Sequence, residues 1–329
     1  MSLRSRSIVE TPIAVIDLET TGLSPLGDRI VEIAVVRIDP GQAPRVVLDT
    51  LVNPQRRVTG SSIHGIYDDD VVGAPLFGEL VGPIAEAIDG AAVAAFNVYF
   101  DMKFLESELA MAQVPAAFPH LCLMWLRPVL GLGARANLSA TCSAMGIPMG
   151  AAHSAAADAM ASAQLWLHYL RAAEARELRT FDDVASLRHY KFMNSWDWET
   201  LSRSQYADRR LGTALKPRKL RTPAEDKAAA VAEYRRENAV AEYWDVITSA
   251  IADGEFSRAE ISLLLRTQEA LDLPADALRY VHGRVMAGLL DEMTMDRRVD
   301  DKEVRWLAEV TWMLRDLGWA PGDAIKEPN

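Results

Sequence analysis

The chain has 329 residues, 50% hydrophobic and 25% charged, with a formal net charge of -11, so there is length for two domains with substantial cores. That acidity argues against a nucleic-acid binder working through a broad basic face. No apolar run approaches the roughly 18 residues of a membrane span, and no signal peptide opens the chain, so a cytoplasmic protein with no membrane partner is expected. Cys122 and Cys142 stand in apolar surroundings and read as reduced core residues, since a metal site on two cysteines would want a nearby CxxC.

Residues 1 to 12 read as a short, poorly ordered lead-in. Ile13 to Ile16 has no polar face and reads as a central strand covered on both sides. Asp17 and Glu19 follow it two apart, hence on one side of the strand. Buried like charges are costly unless a cation neutralises them. On this stretch alone a metal site and an exposed turn completed by Thr20, Thr21 and Gly22 are equally open. Arg29 to Asp39 and Val46 to Val52 read as two more strands, making an antiparallel meander. Ser61 to Val72 reads as a loop with a short helix, and Pro75 to Asp89 as a helix by its period at Leu76, Leu80, Ile84 and Ile88. Ala91 to Phe96 reads as a buried fourth strand, Phe100 to Met111 as a helix and Leu121 to Leu126 as a fifth strand. Leu138 to Met145 and Ala155 to Leu170 read as helices, closing an α/β domain near Thr180.

From 181 to 222 the pattern breaks into an aromatic and basic linker. Tyr190, Phe192, Trp196, Trp198 and Tyr206 cluster, and seven basic residues stand between Arg203 and Arg221 against Asp208 alone. A solvated hinge packed by its aromatics is the favoured reading, and contact with nucleic acid through phosphates and base stacking is the other. Thr222, Pro223 and Glu225 then read as a helix start, opening a helical domain over 223 to 329. Within it DGEFSRAE at 253 and DRRVDDKE at 296 repeat at an offset of 43, aligning Leu264 with Leu307 and Leu271 with Leu314. The Asp-Gly of the first copy lacks the alternating acidic ligands of a calcium loop, so both copies read as helix caps.

Two further acids can reach the sheet edge beside Asp17 and Glu19. Asp101 follows the fourth strand through a short turn, and Asp158 lies near the start of the last helix of the domain, five residues after His153. Each alone also reads blandly, Asp101 as a helix-start acid, Asp158 as a surface helix residue and His153 as a loop histidine. Taken in order, however, DLETTGL, SIHGIYDDDV, FNVYFDMKFL and HSAAADA resemble the DEDDh branch of the 3'→5' exonucleases, the branch of the DNA polymerase III epsilon subunit, RNase T and oligoribonuclease. The resemblance covers about residues 12 to 172.

That resemblance implies an RNase H-like domain, a mixed five-stranded sheet with helices on both faces, followed here by a separate all-α C-terminal domain. It implies that Asp17, Glu19, Asp101 and Asp158 hold two Mg²⁺ or Mn²⁺ ions, Asp17 bridging them, Glu19 and Asp158 on the ion that activates water and Asp101 on the other side. It makes His153 the general base, and gives Thr20, Leu23, His64, Asn97 and Phe100 the terminal nucleotides, with Leu23 wedging between bases. Hard oxygen donors suit such ions, and two of them suit an in-line phosphoryl displacement. No haem or nucleotide cofactor is expected. Phe96 stands where the family often has His, and Leu121 to Leu126 lacks its common Asp-Thr, which bears on substrate class. The implied activity is release of nucleoside 5'-monophosphates from single-stranded or frayed 3' ends, DNA before RNA, in proofreading or repair. The alternative is an end-binding scaffold acting through the helical domain. That domain faintly resembles TerB-like modules, which implies a protein partner bound through 223 to 329.

Overall fold

The computed structural model describes residues 2–114, 117–150, 153–200, 212–218, 228–251, 257–273, 275–294 and 301–319. It divides into two compact units, Met1–Ala224 and Glu225–Asn329. Among the described residues no helix is long and apolar enough to cross a membrane.

The first unit is built on a five-stranded sheet of β1 (Ile13–Thr20), β2 (Ile30–Ile38), β3 (Arg45–Leu51), β4 (Ala92–Ala95) and β5 (His120–Cys122), in the order β3-β2-β1-β4-β5. β1 to β3 form the expected antiparallel meander, and β4 and β5 join β1 in parallel. Parallel pairing needs a crossover, and two helices supply it: α3 (Phe77–Ile88) between β3 and β4, and α4 (Val98–Met111) between β4 and β5. Before α3 the chain makes two single-turn helices, α1 (Ser61–His64) and α2 (Asp68–Val71). After β5 come α5 (Leu123–Val129), α6 (Leu138–Ala144) and the long α7 (Ala155–Ala175), which packs across β1, β2 and β3. β1 is apolar and buried from Ile13 to Ile16 because strands flank it on both sides and helices cover it.

The structure departs from the sequence reading most in three places. The fifth strand stops at Cys122, and Leu123 to Val129 is helical. Residues 121 to 126 are all apolar, so periodicity has no polar face to report, and a short buried run does not separate strand from helix. The lead-in is not loose: Leu3 and Ile8 are buried, the Leu3 N–H donates to the Trp196 carbonyl at 2.9 Å and the Ile8 N–H to the Arg179 carbonyl at 3.0 Å. Nor is the first part of the 181–222 stretch a linker. It forms α8 (Phe181–Leu187) and a 3-10 helix, Lys191–Asp197, whose Phe192 and Trp196 are buried with Tyr190. Tyr190 meets the Trp125 ring at 4.6 Å, and the Trp196 indole N–H donates to the His120 carbonyl at 2.8 Å. These aromatics are core, sealing the β5 side of the sheet. Tyr206 lies outside the described residues.

The second unit comprises α9 (Ala228–Ile251), α10 (Arg258–Leu271), α11 (Ala275–Thr294) and α12 (Asp301–Asp316). Its core gathers Tyr243, Ile247, Leu264, Val281, Val310 and Leu314. Ser257 caps α10 in a reciprocal pair with Glu260, as the sequence suggests. The repeat offset carries the start of α10 onto the start of α12, but in each aligned pair one member is buried and the other only partly so: Leu264 against Leu307, and Leu314 against Leu271. Thr222, Pro223, Glu225, residues 253–256 and the expected cap of the second copy lie outside the described residues.

One ion pair ties the sheet to α4. Arg29 donates twice to Glu108, Nε to Oε1 at 2.7 Å and Nη2 to Oε2 at 2.8 Å, and the Ile30 N–H adds a third bond at 3.2 Å. Glu108 is 2% exposed. Removing one member of such a pair strands the other. Glu108→Ala is therefore expected to cost the first unit about 3 kcal/mol, lowering its thermal midpoint by roughly 6–12 °C in calorimetry.

Candidate active site

The four acids singled out by the sequence are delivered by three elements. Asp17 and Glu19 stand on one side of β1, both half-buried. Immediately after Glu19 the β1–β2 register shifts, with Glu19 opposite Glu32 but Thr20 opposite Ile30. Such a bulge bends a strand and re-aims its side chains. Asp101 lies in the first turn of α4 and is 7% exposed. That helix begins at Val98, two residues earlier than its periodicity suggests, with Asn97 at its N-cap. Asp158 lies in the first turn of α7. His153 precedes α7 with φ at 56°, a left-handed backbone in which His is tolerated better than most residues.

These elements converge. Ligand atoms of Glu19, His153 and Asp158 all lie within 4.8 Å of one another. Burial, then the charges of Asp101, Asp158, Glu19 and Glu32, pushes the Asp17 carboxyl well above its ordinary value. Glu19 is raised in the same way, by burial first and then by Glu32 and Asp158. Burial raises Asp158 to about 6 although the His153 backbone N–H donates to it. One Asp158 oxygen is buried with no hydrogen-bond partner. Hard, crowded carboxylate oxygens with one left unsatisfied suit a divalent cation.

Five further residues are expected from the sequence to hold the terminal nucleotides. Thr20 is buried, its hydroxyl donating to the Gly22 carbonyl at 2.6 Å, and Leu23 is half-buried beside it. Asn97 is buried, and Phe100 is half-buried with its ring 4.9 Å from Phe104. His64 is different. Its turn is bracketed by Gly60 and Gly65, both at positive φ. Both ring nitrogens are taken by backbone, Nε2 with the Thr59 carbonyl at 3.1 Å and Nδ1 with the Ile66 N–H at 3.1 Å. Burial lowers its pKa to about 4, so the ring is neutral and serves the turn.

Two residues were not singled out by the sequence reading. Glu32 is fully buried on β2, and its Oε2 accepts from the Ala155 N–H, the first of α7, at 3.1 Å. A signal was available: it is the one charged residue in the apolar run Ile30 to Val36. Arg218 donates to Glu32 at 3.1 Å and to the His153 carbonyl at 2.6 Å. Nothing in its local sequence marks it beyond the basic excess around it.

A mixed sheet of this order, with acids from two central elements and two helix starts meeting at one edge, defines a nuclease domain of RNase H-like fold. The family model RNase_T, described as Exonuclease, matches residues 14–166. That match supports an exonuclease domain of the DEDDh type over those residues. Members of this family typically use divalent metal ions. A DNA polymerase III subunit epsilon-like protein of Rhodobacter capsulatus is 37% identical over 190 residues, covering 54% of this chain and 27% of its own. The DNA polymerase III subunit epsilon of Treponema pallidum is 39% identical over 100 residues, 30% of this chain and 46% of that protein. The 3'-5' exonuclease DinG of Bacillus subtilis is 35% identical over 101 residues, 30% of this chain and 11% of that protein. The chain thus matches less than half the length of each of these relatives.

The charge cluster has a thermodynamic signature. A carboxyl raised from 3.8 to about 6 in the folded state favours folding when protonated. Its contribution is fully present below about pH 4 and is lost as pH rises through about 6. In chelator at pH 8, Asp158→Asn should therefore stabilise the protein by on the order of 1–2 kcal/mol, roughly 3–6 °C in a thermal melt. The gain should vanish at pH 4.

Proposed function

We propose that this protein is a 3'→5' exonuclease acting on nucleic-acid 3' ends with two Mg²⁺ or Mn²⁺ ions held by Asp17, Glu19, Asp101 and Asp158. The observation that carries the reading is the convergence of Glu19, His153 and Asp158 within 4.8 Å beside the perturbed Asp17. When bound, such ions would supply charge neutralisation at the phosphoryl group. The chain's own residues do the rest. Burial and the Arg218 charge hold His153 below its ordinary pKa, so its imidazole is neutral near pH 7 and free to take the proton of an attacking water. Attack at phosphorus breaks the bond to the 3'-oxygen of the penultimate nucleotide, leaving a new 3'-hydroxyl and a nucleoside 5'-monophosphate. Thr20, Leu23, Asn97 and Phe100 hold the terminal nucleotides, Leu23 as a wedge, while His64 fixes the turn beside them.

DNA as the preferred substrate, with a role in proofreading or repair, draws on relatives named for DNA polymerase III. The helical unit is the natural place for a protein partner, since its exposed Trp312 and Val304 lie on α12 away from its own core.

A 3'-labelled oligonucleotide with Mg²⁺ or Mn²⁺ provides the test, run as matched single- and double-stranded DNA and RNA with either end labelled. Release of labelled 5'-monophosphate from 3' ends is expected, and Asp17→Ala should lower the rate by at least about 10³-fold. Full activity in that variant would sink the reading.

A further inference from the structure

Residues 212–218 lie beyond the part of the chain that the exonuclease family matches, yet they return to its active site. They meet the end of β3, the edge strand of the sheet, at Lys216. The Lys216 N–H donates to the buried Thr50 hydroxyl at 2.9 Å, and the Lys216 carbonyl accepts from the Leu51 N–H at 2.9 Å. Pro217 favours this extended course, because a residue before proline is pushed out of the helical region. Two side chains pin the segment to neighbouring elements: the Thr213 hydroxyl donates to Glu79 at 2.8 Å and Lys216 Nζ to the Val72 carbonyl at 2.5 Å.

From this rail Arg218 reaches inward, its side chain only 12% exposed. Nη1 bridges Glu32 and the His153 carbonyl, and Nη2 donates to the His64 carbonyl. Gly65 leaves room for it, since a β-carbon there would stand 3.3 Å from Nη2. One planar fork thus joins three segments: the His64 turn, the His153 loop and, through Glu32 and the Ala155 N–H, the first turn of α7 that carries Asp158. Among the described residues none of its hydrogen-bond partners is one of the four carboxylates proposed to hold metal, so its seat does not compete for those donors.

We propose that Arg218 is a positioning residue of the exonuclease site, and that segment 212–218 is a strap by which chain outside the family domain completes that site. The inference rests on the exonuclease reading above. Lysine cannot replace the fork, because an ammonium has no fixed planar geometry with which to span these acceptors.

The test uses the full chain, with wild type, Arg218→Ala and Arg218→Lys compared on a 3'-labelled oligonucleotide, and with amide exchange followed at residues 154–156. Arg218→Ala should lower kcat about 10- to 100-fold with KM changed less than about 3-fold, since misplacing reacting groups costs rate rather than binding. Arg218→Lys should fall between, added guanidinium ion should restore part of the Arg218→Ala rate, and the Ala155 amide should exchange faster in both variants while α11 is unchanged. A kcat for Arg218→Ala within about twofold of wild type would overturn the proposal, and a raised kcat would make the strap an inhibitor instead. Should Arg218→Ala fail to fold, Arg218→Lys is judged by the same two measurements. An inactive wild type would count against the exonuclease reading alone, and unchanged exchange at Ala155 would then overturn the strap by itself.

Discussion

The first unit is built around an electrostatic conflict. Glu19 and Asp158 place carboxylate oxygens within 4.8 Å of each other, and Asp17, Asp101 and Glu32 act on the same space. Two unit charges at that distance repel by about 3 kcal/mol at an effective dielectric of about 20, and a folded domain has only about 5–15 kcal/mol in hand. Such a cluster survives only where the surrounding structure leaves the acids nowhere to go. Here two of them ride on a strand hydrogen-bonded on both sides, and two on the first turns of packed helices. Helix N-termini are also where a negative charge is best tolerated.

The neighbours of the cluster divide into those that fix its frame and those that balance its charge. Glu108 belongs to the first kind, clamping the start of β2 to α4 through Arg29 and so setting where Asp101 stands relative to β1. Glu32 belongs to both. It adds a buried negative charge opposite Glu19, which by itself worsens the conflict, and it spends one oxygen capping α7. That oxygen also meets the Arg218 guanidinium, so a cation enters the acidic pocket from a distant part of the chain. The pKa directions reflect this balance: burial dominates at Asp17, Glu19, Glu32 and Asp158, while Arg218 lowers Glu19, Glu32 and Asp158 together.

What could be read from the sequence follows from the range of the forces involved. Asp17 and Glu19 were legible because a two-residue spacing on an apolar strand is a local pattern. Asp101, His153 and Asp158 were legible only as members of a spaced set. The β5 to α5 transition was not, since Leu121 to Leu126 is apolar on every side and the switch at Leu123 is set by packing under the aromatic layer. That layer was misread for a related reason: Tyr190, Phe192 and Trp196 adjoin a run of basic residues, and composition alone does not say which of two adjacent stretches is buried. His64 shows the opposite limit. Its place in the site follows from the motif, but the engagement of both its ring nitrogens by backbone is a property of the folded turn.

The boundary of the catalytic unit shows most clearly what local pattern leaves out. Periodicity ends the α/β domain near Thr180, where the last long helix gives out. Hydrogen bonds do not end there. Ser7 bridges to Thr180, and Trp196 closes on His120. Lys216 then bonds to Thr50 and Leu51 at the end of β3, on the edge strand, the place where unpaired backbone could otherwise recruit another chain. A cut at residue 180 would remove the bonds to the end of β3, the aromatic layer over β5 and the Arg218 guanidinium that stands against Glu32. The domain that carries the chemistry and the compact unit that keeps its carboxylates in place are therefore different lengths of chain, and the difference is the part of the sequence that looked like a linker.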